Sequence, residues 1–146
     1  MASRFNENIN AFITPPSLGA NVRIPLSASQ NGNPIHVIKT GTGTTSVHTA
    51  QENVLEELYI WATNYGTDDV VLTMSAGPMS SGSNVVKTPL GASKGMYLVW
   101  PGIPLKGETL YAEASLADTV NLLGFAVRYY PKNPSKTSQG FFGPYS

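Results

Sequence analysis

The sequence contains no cysteine, little charge and no long apolar run. Without cysteine, the chain can form no disulfide and has no thiolate nucleophile and no cysteine ligand for zinc. Charged residues make up only 12% of it, and nine basic residues balance nine acidic ones. Such a balance gives no general attraction to polyphosphate, so we do not expect nucleic acid as a partner.

The beginning of the sequence is polar. Residues 1–12 include several asparagines and both signs of charge but no apolar stretch, which predicts neither a signal peptide nor a membrane-spanning helix. We therefore expect synthesis in a cytoplasm and no membrane partner. A surface with little charge and no net charge repels its own copies weakly, which favours a protein that works packed against neighbours.

The length of 146 residues predicts one domain with extensions at both ends. Pro15, Pro16 and Gly19 interrupt the first 21 residues, which show neither a helical nor an alternating pattern. We interpret residues 1–21 as an N-terminal arm and 22–130 as the folded domain. Residues 131–146, with three prolines and two glycines, are interpreted as a C-terminal tail.

Between arm and tail, short β-prone runs alternate with turn clusters every 8–12 residues. This spacing predicts an all-β fold, a single jelly-roll-like β-sandwich of about eight antiparallel strands. The β-prone runs are Val22–Leu26, Ile35–Lys39, Thr44–Thr49, Val54–Thr63, Val70–Ser75, Val85–Thr88, Gly95–Trp100, Glu108–Ala114 and Val120–Tyr130.

Two local predictions follow from these runs. Val54–Thr63 and Val70–Ser75 both alternate and are separated by a short loop, so we predict that they form a hairpin. Pro89 and the pair Pro101-Gly102 are expected to end the strands that precede them.

No catalytic or metal-binding pattern stands out. His36 and His48 fall in different predicted strands without metal-ligand spacing, and both are interpreted as ordinary strand residues. Glu56 and Glu57 are adjacent, so on a strand they would point to opposite faces. The glycine-rich stretch 41–46 lacks the Lys-Ser/Thr pair of a phosphate loop, and no G-x-S-x-G motif occurs. We therefore predict that the protein is not an enzyme and expect no cofactor and no metal.

The aromatic residues leave two interpretations open. On a sandwich they are most simply core or sheet-face residues, but exposed aromatic rings also bind sugars, so a carbohydrate-binding module is an alternative. In the arm and the tail, apolar side chains are candidate anchors for a partner protein, unless the tail folds back on its own domain. The candidate anchors are Phe5, Ile9, Phe12, Ile13, Phe141, Phe142 and Tyr145.

One succession of strands and turns runs from Val47 to Tyr129 and covers a little over half of the chain. It consists of Val47–Thr49, Glu57–Asn64, Asp69–Thr73, Tyr97–Leu105, Leu110–Ala114 and Val120–Ala126. This succession, which contains no catalytic signature, resembles small virion proteins of tailed bacteriophages, especially capsid decoration (cement) proteins.

This resemblance implies a jelly-roll-like sandwich on the outer surface of a phage head, with arm and tail binding the major capsid protein. It also implies self-association, with a homotrimer expected, and location in the virion after synthesis in the host cytoplasm. Similar sandwiches serve in tails, necks and baseplates, so these positions are alternatives. The resemblance supplies no catalytic residue.

Overall fold

The computed structural model describes residues 21–29, 32–79 and 84–130. Contacts divide the chain into two units. One is Arg23–Arg128; the other comprises Met1–Val22 and Tyr129–Ser146, and of it the structure describes only residues 21, 22, 129 and 130. The predicted division into arm, domain and tail therefore stays a prediction.

The described part of the chain is all-β, with nine strands in two antiparallel sheets. The strands are β1 (Asn21–Pro25), β2 (Ile35–His36), β3 (Thr45–Thr49), β4 (Leu55–Asn64), β5 (Val70–Ala76), β6 (Val85–Leu90), β7 (Met96–Leu105), β8 (Thr109–Ala114) and β9 (Val120–Tyr129). A five-stranded sheet has the order β1-β9-β4-β7, with β2 paired to the beginning of β9. The four-stranded sheet has the order β3-β8-β5-β6. The predicted all-β sandwich of about eight strands is confirmed, with nine strands in the described residues; its jelly-roll connectivity stays a prediction.

Both sheets contribute to one apolar core. Strand β4 supplies Leu58 and Ile60, and β5 supplies Leu72 and Met74, each no more than 2% exposed. Full burial of one such side chain stabilises the fold by roughly 1.5–3 kcal/mol. Alternation along β4 therefore directs every second residue into the core and the residues between them outward.

The predicted hairpin between Val54–Thr63 and Val70–Ser75 is wrong. Strand β4 pairs with β9 and β7, whereas β5 pairs with β6 and β8, so the loop between them crosses from one sheet to the other. Buried Asn64 fixes this crossing. Its Nδ2 donates to the carbonyl oxygens of Asp68 (2.9 Å) and Leu90 (3.0 Å), and its Oδ1 accepts from the Gly66 N–H (2.9 Å).

Two expected strand ends are also wrong. Strand β6 includes Pro89, and β7 continues through Pro101 and Gly102 to Leu105. Both are edge strands, where a proline that lacks an N–H need not remove a hydrogen bond from the ladder. Gly102 adopts a φ of 72°, and the register between β4 and β7 shifts beside it. Pro101 and Gly102 therefore form a bulge within β7 and not the turn that was predicted.

The predicted strand Ile35–Lys39 is longer than the observed β2. The Val37 N–H still donates to the Val120 carbonyl of β9 at 3.0 Å. Beyond Val37 the chain reaches the other sheet, where the Ala114 N–H donates to the Ile38 carbonyl at 2.9 Å. The run is β-prone throughout, but its two halves bond to different sheets.

Candidate functional site

The outward side of β4 and β9 carries an aromatic cluster. Tyr59 and Trp61 alternate with buried residues of β4 and therefore point away from the core. On the neighbouring strand, Phe125 stacks on Tyr59 with 5.4 Å between ring centroids and lies 6.0 Å from the Trp61 ring. Pairs at such separations stabilise each other beyond the area they bury.

Glycines allow this cluster to pack closely. A Cβ on Gly124 would overlap the Tyr59 carbonyl oxygen and lie 2.9 Å from the Ile60 Cα, so β9 approaches β4 where no side chain fits. Across the sheet, a Cβ on Gly102 would lie 2.9 Å from the Tyr59 ring. Tyr59 is thus held between Phe125 and Gly102, and the rings are ordered before any partner arrives.

Strand β7 extends the apolar surface to the sheet edge. Leu98 lies opposite Trp61, and Met96 lies opposite Thr63, so both side chains share the outward side. Leu98 is 48% exposed and Met96 60% exposed. Exposed apolar side chains contiguous with an aromatic cluster are typical of protein-binding surfaces.

Arg23 on β1 completes the surface. Its guanidinium carbon lies 4.1 Å from the centroid of the Phe125 ring, in a cation–π contact. We call the surface formed by these side chains the aromatic face. Its members are Arg23, Tyr59, Trp61, Met96, Leu98 and Phe125.

A buried ionic cluster lies on the core side of the same strands. Glu56 of β4 is fully buried, and its Oε1 lies 2.6 Å from Nε2 of buried His48 on β3. Its Oε2 accepts from Arg128 Nε at 3.0 Å and from the Gln51 N–H at 3.1 Å. We call Glu56, His48 and Arg128 the ionic cluster; it joins β3 of one sheet to β4 and β9 of the other.

The pKa of Glu56 reflects two opposed effects. Burial raises it, because a charged carboxylate loses its hydration. Hydrogen bonds from His48, Gln51 and Arg128, together with the positive charge of Arg128, outweigh burial and lower the pKa below the ordinary glutamate value. Glu56 is therefore ionised at neutral pH, and its negative charge balances that of Arg128.

Ser27 gives this cluster a superficial likeness to a hydrolase triad. The Ser27 N–H donates to Nδ1 of His48 at 3.0 Å, so this nitrogen carries no proton, and Ser27 Oγ lies 3.0 Å from the same atom. Nε2 then donates to Glu56. A triad also needs free N–H donors beside the serine to stabilise an oxyanion.

The neighbouring N–H groups already have acceptors. Ala28 donates to the Val47 carbonyl at 3.1 Å, Ser29 donates to the Leu26 carbonyl at 3.0 Å, and Thr49 donates to Ser27 Oγ at 3.1 Å. What the arrangement does is fasten the turn after β1 onto β3. We interpret it as structural.

A groove of about 370 Å³ lies on the four-stranded sheet. Its lining carries both signs of charge but no aromatic ring on which a sugar could stack. The lining residues are Thr40, Thr73, Met79, Val85, Lys87 and Glu113.

The predicted anchors of arm and tail lie outside the described residues, so their role stays a prediction. These are Phe5, Ile9, Phe12, Ile13, Phe141, Phe142 and Tyr145.

The prediction that Glu56 and Glu57 point to opposite faces is confirmed, because Glu56 is buried and Glu57 is partly exposed. The histidines do lie in separate strands, but sequence reasoning missed that His48 pairs with Glu56. The signal was available: Glu56 occupies an inward position of the alternating β4 pattern, where a charge needs a partner.

Within the described ranges, no three or more acidic or histidine side chains are grouped to hold a metal ion. The same residues contain no helix with the length and apolar character needed to cross a bilayer. Neither the protein-family models nor the curated proteins compared with this sequence match it.

Proposed function

We propose that this chain is a structural protein of a virus particle, a decoration (cement) protein on the outer surface of a phage head. It binds the major capsid protein and stabilises contacts between capsid subunits through its arm and tail, and it associates with its own copies as a homotrimer. It acts by binding and not by catalysis. The aromatic face is the described surface through which it packs against a neighbour.

The observation that carries this proposal is the pre-ordered aromatic face. Tyr59, Trp61 and Phe125 hold one another in place, and Leu98 and Met96 extend the apolar area to the sheet edge. Binding through rigid rings costs little side-chain entropy. An aromatic centre with a polar rim is the usual composition of a protein interface, and the low charge of the chain suits a crowded assembly.

The rings are less suited to a sugar. Tyr59 is covered by Phe125 on one side and by Gly102 on the other, and Arg23 lies over Phe125. A stacking platform for sugars needs open ring faces. This crowding favours a protein neighbour over the carbohydrate-binding alternative.

The decisive experiment is electron cryomicroscopy of the purified parent particle, with the copies of this chain located and counted. Copies arranged on the head lattice support the decoration role. Density confined to the tail, neck or baseplate would move the chain to one of those parts, and particles without the chain would refute the proposal.

Matched variants test the surface. Leu98→Glu places a charge on the aromatic face at a half-exposed position, so the fold should survive while binding to particles stripped of this chain is lost. Val71→Glu is the control, because Val71 is 40% exposed and lies between buried Val70 and Leu72, which places it on the outward side of β5 in the other sheet. Equal binding by both variants would exclude the aromatic face from the interface. A full-length variant with Phe141→Ala and Phe142→Ala tests the tail separately.

A further inference from the structure

Arg23 is the charged member of the aromatic face, and no acidic side chain among the described residues pairs with it. The residue is exposed, and within the part of the chain that the structure describes it takes part in no hydrogen bond or ion pair. Its one described contact is with the Phe125 ring, 4.1 Å from the guanidinium carbon to the ring centroid.

That contact leaves the hydrogen-bonding edge of Arg23 available. A guanidinium group over an aromatic ring is attracted to the face of the ring by its positive charge. Its N–H donors lie in the plane of the group and point outward, so they can still bond to another partner. Because the Tyr59 and Trp61 rings restrict the movement of Phe125, the ring that the guanidinium contacts has a fixed position. A fork of this kind matches the two oxygens of a carboxylate.

The surroundings favour a carboxylate over a phosphate. Around Arg23 the aromatic face is apolar, and Glu57, on the same outward side of β4, is an acid whose Oε1 accepts from the Tyr59 hydroxyl at 3.3 Å. A single arginine on an apolar face can balance the one charge of a carboxylate, whereas a dianionic phosphate or a polyphosphate chain would keep uncompensated charge there. An apolar partner covering the face would exclude water and strengthen that pair.

We propose that the aromatic face recognises a protein segment that presents one carboxylate side chain flanked by apolar side chains. Arg23 binds the carboxylate, while Trp61 and Leu98 cover the apolar neighbours. The proposal rests on the proposed function, because the segment belongs to the neighbour that this surface meets in the assembly.

Two synthetic peptides test the recognition directly. One is Ser-Gly-Leu-Asp-Leu-Phe-Gly-Ser, acetylated and amidated so that aspartate is its sole charge; the other has asparagine in place of aspartate. Each is titrated into the full-length ¹⁵N-labelled protein and followed by NMR. We expect amide shifts around Trp61, Leu98 and Phe125, with the aspartate peptide binding about tenfold more tightly, as for a hydrogen-bonded charge pair.

The Arg23→Gln variant should bind the two peptides with about equal affinity, and its affinity for the asparagine peptide should match that of the wild type. Lys87→Gln, which removes a cation from the other sheet, is the matched control and should keep the preference. Equal affinity of the wild-type protein for the two peptides, no binding of either, or an unchanged preference in Arg23→Gln would each overturn the proposal.

The result is separable from that of the proposed function. If Leu98→Glu abolishes particle binding but the peptides show no dependence on Arg23, the assembly role stands and carboxylate recognition falls. If the peptides behave as expected but the parent particle lacks the chain, the recognition stands and the virion role falls.

Discussion

Removing the charge of Glu56 should destabilise the protein more than any single change on its surface. Glu56→Gln keeps the size of the side chain but removes the negative charge that Arg128 and the Gln51 N–H address at 3.0 and 3.1 Å. Hydrogen bonds to a charged group contribute about 1.5–3 kcal/mol each. The Arg128 side chain is 22% exposed and regains some hydration, which reduces the loss.

We therefore expect the free energy of unfolding to fall by about 2–4 kcal/mol, a large part of the roughly 5–15 kcal/mol typical of a domain. The measurement is urea denaturation at neutral pH, followed by tryptophan fluorescence and circular dichroism. The midpoint should fall without a change in the slope with urea, because the surface exposed on unfolding is nearly the same.

Glu57→Gln is the control, since it makes the same chemical change one residue away on the partly exposed side of β4. We expect this variant to lose less than about 1 kcal/mol. If both variants unfold within about 0.5 kcal/mol of each other, the ionic cluster does not stabilise the fold as argued.

Three further predictions concern pH, a glycine and an asparagine. The folded state lowers the pKa of Glu56, so the ionised carboxylate stabilises the fold above the ordinary glutamate pKa, and this stabilisation is lost as pH falls through the lowered pKa. The urea midpoints of the wild type and Glu56→Gln, measured from pH 7 to 3, should therefore converge at low pH. Gly124→Ala should prevent correct pairing of β9 with β4 and lower the melting temperature far more than the control Gly95→Ala. A Cβ on Gly95 meets no atom within 4 Å, so the control loses only the about 1 kcal/mol that its φ of 91° costs an alanine. Similar melting temperatures of the two variants would contradict the close approach of β9 to β4. Asn64→Asp should cost about 2–3 kcal/mol in thermal unfolding, because both Nδ2 hydrogen bonds become contacts between oxygens, and a loss below about 0.5 kcal/mol would show that the crossing loop does not depend on Asn64.

Strand identity could be predicted because it is a local property. Alternation over Val54–Thr63 gave β4 nearly to the residue, and it also placed Glu56 and Glu57 on opposite faces. Strand ends were less predictable at Pro89 and Pro101. Whether a proline ends a strand depends on whether the strand lies at a sheet edge, and that is a property of the assembled sheet.

Pairing and the site depended on contacts between distant parts of the chain. The residues of the short loop after β4 do not show that the loop crosses between sheets. The crossing is held by the hydrogen bond from Asn64 to the Leu90 carbonyl, and Leu90 lies 26 residues further along the chain. The aromatic face joins residues of β1, β4, β7 and β9, and no spacing along one strand could reveal that Arg23 lies over Phe125.

By itself, the amino-acid sequence determined that the described part of the chain is all-β, where most of its strands run and which side of β4 is apolar, because alternation and β-propensity act within a few residues. Only the tertiary structure decided which strands are neighbours, which prolines lie at edges, and that His48, Glu56 and Arg128 form one ionic cluster. The physical reason is that hydrogen bonding between strands and the pairing of buried charges are satisfied between segments far apart in the chain, where many pairings agree equally well with the local pattern.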